Sequence, residues 1–274
     1  MAERRVPAPG DRGFALLIVL WWTVLLAMLG TQLAASGRLD VQRAGNLRAA
    51  AMAEAAADGV LQEAVFHILD GSPAGWAADG SVHAVPVAGG VARVEIRSEA
   101  AKIGLNQASP ALLAALLTRL GTDRRQSAAL ADAILDWRTA TARPRKLGAK
   151  APEYRAAGLG YAPPNSDFES VDELGLVRGM TPELVARLAP YLSVYQTGDP
   201  DLMLADTVVR LASADAGDVA ADAAERAGLT SGAAPVIAVK VAVEMADGAR
   251  ALHRTVIRLA VDAARHPFQF LDQD

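Results

Sequence analysis

Hydrophobic positions along the chain fall into three regimes. From Gly13 to Gly37 no side chain is charged. A helix of 25 residues at about 1.5 Å per residue reaches about 37 Å, enough to cross a hydrocarbon core of about 30 Å with some tilt. From Leu39 to Leu69 the pattern turns amphipathic: Leu61, Val65, Ile68 and Leu69 recur at i, i+4, i+7 and i+8 on one helical stripe, and no Pro interrupts them. The two stretches therefore predict one long helix, apolar all round and then one-sided, with Gly45 and Gly59 as soft points and a stop near Gly71-Ser72-Pro73. Beyond it the period shifts to two. Val94 and Ile96 alternate with Arg93, Glu95 and Arg97, and Ser81 to Val87 can pair with them across Ala88-Gly89-Gly90, with Pro86 favouring an edge. Val236 to Met245 and Ala251 to Val261 alternate again around an Asp247-Gly248 turn.

Between these two blocks of strand lies a helical stretch, Gln107 to Tyr195. It contains an internal echo, "SPALLAALL" from Ser109 and "TPELVARL" from Thr181. Each places a hydroxyl at the N-cap, Pro at the first helical position, and Leu on one face.

Composition narrows the function. Over 274 residues, 52% are apolar but only 5% aromatic, which favours helix packing over an aromatic-lined ligand cleft. There is no Cys, which removes disulfides, thiolate nucleophiles and Cys-ligated metal centres. The net charge of −4 gives no global pull towards nucleic acid. No Gly-x-Ser-x-Gly, His-Glu-x-x-His, phosphate loop or complete dinucleotide fingerprint occurs, and "GLG" at Gly158 is a loop. His67, His83, His253 and His266 are scattered. Asp132 and Asp136, four apart on one helix, are an acid/base or metal pair in form, but an exposed face explains them more simply. Asp215, Asp218, Asp222 and Glu225 form a second acidic row that reads as a solvated face. No catalytic residue, cofactor or metal is assigned; the chain reads as a non-enzyme.

Two readings of the N-terminus compete. Arg4, Arg5 and Arg12 before the span and Ala34-Ala35-Ser36 near its end fit a secretory signal peptide. The other rests on the abrupt join "DRGFALLIVLWW". A short charged leader ending in Gly, then Phe, then an apolar helix that becomes amphipathic, resembles the N-terminus of type IV pilins and type II secretion pseudopilins. The resemblance implies cleavage by prepilin peptidase between Gly13 and Phe14 and methylation of the new amino terminus. Loss of residues 1–13 removes three Arg, one Glu and one Asp and moves the formal charge from −4 to −5. Most such subunits carry Glu at the fifth mature position, thought to pair with a neighbour's terminal amine; here it is Ile18. An ionisable group in a bilayer is costly unless paired, so Ile18 suits a subunit with none above it.

That departure, together with "KIGLNQASPALLAALL", "LADAILDWR" and "FESVDELGLVRGMTPELVARLAPYLSVY", resembles the minor pseudopilin K family of type II secretion. The resemblance implies an α+β fold of type IV pilin type, a long N-terminal helix on an antiparallel sheet with an inserted all-helical domain. The divisions expected are a leader (1–13), the transmembrane part of the helix (14–37), its periplasmic continuation (38–72), a first sheet block (73–104), the helical insertion (105–196) and a second sheet block (197–274). It implies a structural tip subunit that primes the pseudopilus and supports protein export. Its implied partners are other minor pseudopilins, the major pseudopilin, the inner-membrane secretion platform and prepilin peptidase. Its implied location is the bacterial inner membrane, single-pass, with the N-terminus cytoplasmic and the soluble domain periplasmic. The charge count alone does not orient the span, since Arg38, Arg43 and Arg48 follow it. Leu61, Val65 and Ile68 are the expected helix-packing residues, at least two of them against the chain's own sheet.

The family can bind calcium through an acidic loop after its Asp-Trp motif. Here Asp136-Trp137-Arg138 leads to Thr139-Ala140-Thr141 and later to Gly148-Ala149-Lys150, which does not support the site. An alternative from another class is less favoured: the stretch around Gly179-Met180-Thr181 resembles the turn of a helix-hairpin-helix, as in membrane-anchored receptors for DNA uptake, but nucleic acid is not the expected partner. The turn lacks the second Gly, although Arg119 to Arg155 holds nine Arg or Lys against four Asp or Glu.

Overall fold

The computed structural model describes residues 11–217, 234–259 and 267–273. Helix α1 runs unbroken over Asp11–Leu69, 59 residues, so Gly45 and Gly59 do not interrupt it. It stops where Asp70 turns the chain: the carboxylate accepts from the Ser72 amide and hydroxyl, and Pro73 follows.

Five antiparallel strands form the sheet in the order β1-β2-β5-β6-β7. They are β1 (Asp79–Val87), β2 (Gly90–Ser98), β5 (Val236–Met245), β6 (Arg250–Leu259) and β7 (Phe268–Gln273). Pro86 lies on the edge strand β1, where a missing amide costs no ladder bond. Strand β7 was not foreseen beyond its inclusion in the second sheet block. The end of the alternating run at Ala260 and Val261 lies outside the described residues.

Every second residue of the central strands points at α1. Ala92, Val94 and Ile96 of β2, Ile237, Val239, Val241 and Val243 of β5, and Ala251 and Ile257 of β6 bury against Ala53, Ala57, Val60, Leu61, Ala64 and Val65. Three of the six helix residues are Ala, and small side chains let the helix lie close to the β-branched surface of the sheet.

A second core belongs to the helical body, which leaves the sheet after Ser98. It contains β3 (Ile103–Gly104), α2 (Pro110–Arg119), α3 (Arg124–Arg138), α4 (Ala151–Ala156), α5 (Pro182–Leu188), β4 (Leu192–Ser193) and α6 (Thr207–Ala216), with short 3-10 turns at Val171–Leu176 and Ala189–Tyr191. Strands β3 and β4 pair in parallel and fasten the chain's entry to its later return. Both echo segments start as expected: Ser109 accepts from the Leu112 amide and Thr181 from the Leu184 amide, each with Pro next.

The boundary at 196 is corrected. Helix α6 packs Val209 and Ala212 into the helical core beside α2 rather than joining the second sheet block, and Asp206 caps its N-terminus. The helical body therefore extends to Ala216.

Candidate functional site

Among the described residues the distinctive features are a bare helix, a docking stripe and a charged loop. Phe14–Thr31 is an 18-residue stretch with none of its residues buried, long and apolar enough to cross a membrane. Gly13 lies inside α1, and Phe14 is exposed at the start of the apolar run. Ile18 shares one face with Phe14, Leu17, Trp21, Trp22 and Leu25, an apolar strip on an isolated helix. Residues 1–10 of the expected leader lie outside the described residues.

The docking stripe begins at Ala53. Leu61 and Val65 are buried against the sheet, Ile68 is partly buried on the same core, and Leu69 is exposed, so the stripe ends one residue earlier than the spacing suggested. Two polar links flank the apolar contact. His253 of β6 approaches Glu54 at 2.5 Å through Nε2 and Asp58 at 3.4 Å through Nδ1. At the other end, Trp76 stacks between His67 and His83, with ring centroids 4.4 and 4.2 Å apart. Three of the four His thus sit at the helix–sheet junction. Sequence spacing gave no sign of it, because Trp76 lies in a loop.

In the helical body, α3 presents Asp132 and Asp136 inward, which overturns the exposed-face reading. Asp136 has no exposed surface. Its Oδ2 accepts from the Arg145 amide at 2.9 Å, while Asp132 accepts from the Leu147 amide at 3.1 Å and from Arg145 Nε at 3.0 Å. Burial pushes the Asp136 carboxyl up, against the opposing pull of the Arg145 amide and Lys150. The loop folds back so closely that a Cβ on Gly148 would lie 2.0 Å from Asp136 Oδ2. Lys150, only 5% exposed, turns its ammonium onto the carbonyls of Asp136 and Thr139 and the Asn165 amide oxygen. Arg138 reaches back to the carbonyls of Leu105 and Ala108, tying α3 to the entry segment. Two cations hold oxygens of this loop, Arg145 on the Asp132 carboxylate and Lys150 on the Asp136 and Thr139 carbonyls, and among the described residues no group of three acidic or His side chains converges.

The other charged features differ. Asp215 is exposed on α6, in keeping with the solvated-face reading, and pairs there with Arg119 at 2.5 Å; that hydrogen bond holds its carboxyl below the usual range. Asp218, Asp222 and Glu225 lie outside the described residues. In the hairpin, the limb before the turn is a 3-10 segment rather than an α-helix. Gly179 adopts φ +89°, and a Cβ there would come within 3.3 Å of Leu130. Met180 packs on the helical core and Thr181 caps its own helix, so the turn faces inward.

A family model described as "Type II secretion system (T2SS), protein K" matches residues 92–197, from β2 through the helical body to just past β4. The chain is 28% identical over 214 residues to type II secretion system protein K of Aeromonas hydrophila, covering 66% of this chain and 62% of the relative, somewhat under two thirds of its length. Over these stretches it is similar to type II secretion system protein K. Its fold is also similar to a chain in the crystal structure of the GspK–GspI–GspJ complex from the enterotoxigenic Escherichia coli type 2 secretion system. There the TM-score is 0.60 at 16% identity, over 87% of this chain and 98% of that one. The structural likeness supports the α+β pilin-type architecture, and the family model covers β2 and the helical body as far as β4, short of α6. The N-terminal apolar helix is long and apolar enough to fit a membrane-anchored pseudopilin.

Proposed function

We propose that this chain is the tip subunit of a type II secretion pseudopilus, a structural protein rather than a catalyst. The observation that carries the reading is α1 itself: one continuous helix joins a bare apolar span to the packed sheet, with an unpartnered stretch between them. Asp40 to Met52 is exposed almost throughout, with Val41 and Leu47 each more than 70% accessible. Thirteen helical residues, about 20 Å, are thus free to pack against neighbouring helices. In a bundle of pilin-like subunits that stretch contacts the other minor pseudopilins, and the solved relative, crystallised as a complex with GspI and GspJ, supports that choice of partner.

In this reading prepilin peptidase cuts between Gly13 and Phe14 on the cytoplasmic side and methylates Phe14, and the body lies in the periplasm. The apolar span is then drawn from the inner membrane into the bundle, with the platform and major pseudopilin extending it from below. Ile18 leaves the span without a carboxylate for a subunit above. The side-mounted helical body, too bulky to stack under another subunit, agrees with the terminal position. Together these features support priming of the pseudopilus and export across the outer membrane. A photo-crosslinker at Leu47 in the producing bacterium tests the assembly. Crosslinks to minor pseudopilins are expected; crosslinks to none of them, with secretion intact after deletion of the gene, contradict it.

A further inference from the structure

Lys150 is buried with little apolar reason to be there. Its Nζ lies 2.5 Å from the Asp136 carbonyl, 2.5 Å from the Thr139 carbonyl and 2.7 Å from Asn165 Oδ1. Three acceptor oxygens require three N–H donors, which an ammonium has and a neutral amine lacks. Desolvation lowers the lysine's pKa and the Asp136 charge opposes that shift.

The oxygens come from separate parts of the loop. Asp136 is in the last turn of α3, Thr139 is its C-terminal cap, and Asn165 stands at a left-handed corner with φ 59°. Asn165 is fixed in turn, its amide donating to the Trp137 carbonyl and its side chain to the Pro163 carbonyl. Behind them Asp136 Oδ1 is buried with no hydrogen-bond partner. Main-chain carbonyls, an amide oxygen and a carboxylate are the donors a calcium ion prefers. An ion cannot share this cluster with an ammonium at hydrogen-bond distance from the same oxygens.

We propose that the Lys150 ammonium is a built-in cation that closes the 139–165 loop, so that the helical body of this chain holds its fold without a bound divalent ion. The inference rests on the loop geometry and not on the tip-subunit reading. It is tested by thermal unfolding of the full-length protein in detergent, in excess EGTA and in millimolar calcium. The wild-type midpoint is expected to agree within about 1 °C between the two buffers. Lys150→Met leaves three oxygens without a donor and is expected to lower the midpoint by about 5–10 °C in both. A wild-type midpoint that falls by several degrees in EGTA overturns the proposal, and that comparison needs no variant to fold. A Lys150→Met midpoint equal to wild type also overturns it.

Discussion

Gly148 lies directly against Asp136: a methyl group on Gly148 would sit 2.0 Å from the carboxylate Oδ2. The loop reaches this position because the amides of Arg145 and Leu147 donate to Asp136 and Asp132. Gly148→Ala is therefore expected to push the loop off α3 and destabilise the helical body by about 1–3 kcal/mol, measured by chemical unfolding. Unchanged stability would mean that the loop is not held against Asp136.

Asp136 also sets a pH dependence. Its folded pKa is raised above the unfolded value of 3.8 by burial, so between those two values the folded state binds more protons than the unfolded one. The contribution of this group is full below 3.8 and is lost as pH rises through the raised folded pKa. Asp136→Asn, which keeps an acceptor for the Arg145 amide, should gain stability relative to wild type as pH rises across that window. Paired unfolding curves in which the variant loses stability relative to wild type as pH rises would contradict the sign.

The two halves of α1 should respond differently to truncation. Leu61 is 2% exposed in the core between α1 and the sheet, whereas Leu47 is 72% exposed. Leu61→Ala is expected to cost about 2–5 kcal/mol. Leu47→Ala should leave stability within about 0.5 kcal/mol while weakening co-purification of minor pseudopilins. Equal stability losses would place Leu47 in the chain's own core instead.

His253 ties β6 to α1 through Glu54 and Asp58, both more than half exposed. His253→Ala is expected to lower stability by about 1 kcal/mol. The loss should shrink at high salt, because exposed carboxylates are screened. An unchanged deficit at 1 M salt, about a 3 Å Debye length, would assign the effect to packing rather than charge.

Much of this fold was legible because its periods are clean. The alternation of Val94 and Ile96 with charged neighbours and the Asp247-Gly248 turn mark strands and hairpin directly, and Ser109 and Thr181 mark helix starts. Helix α6 was missed although Asp206 caps it, because the long second sheet block was given no helix of its own. The site was harder to read. Asp132 and Asp136 looked solvated because the covering loop is rich in Arg, Lys and Gly, a composition that usually faces water. Only tertiary folding shows that its amides, Arg145 and Lys150 point back at the helix. The stacking of Trp76 between two His joins residues from a helix, a loop and a strand, a contact that no local pattern carries.

The central claim, that α1 is a pilin-type anchor, is tested most directly by intact mass and N-terminal sequencing of the protein taken from membranes of its producing bacterium. A chain that begins at Phe14 and carries about 14 Da of added methyl is expected. A chain that retains Met1, or one that begins near Gly37 after signal-peptide removal, would contradict it.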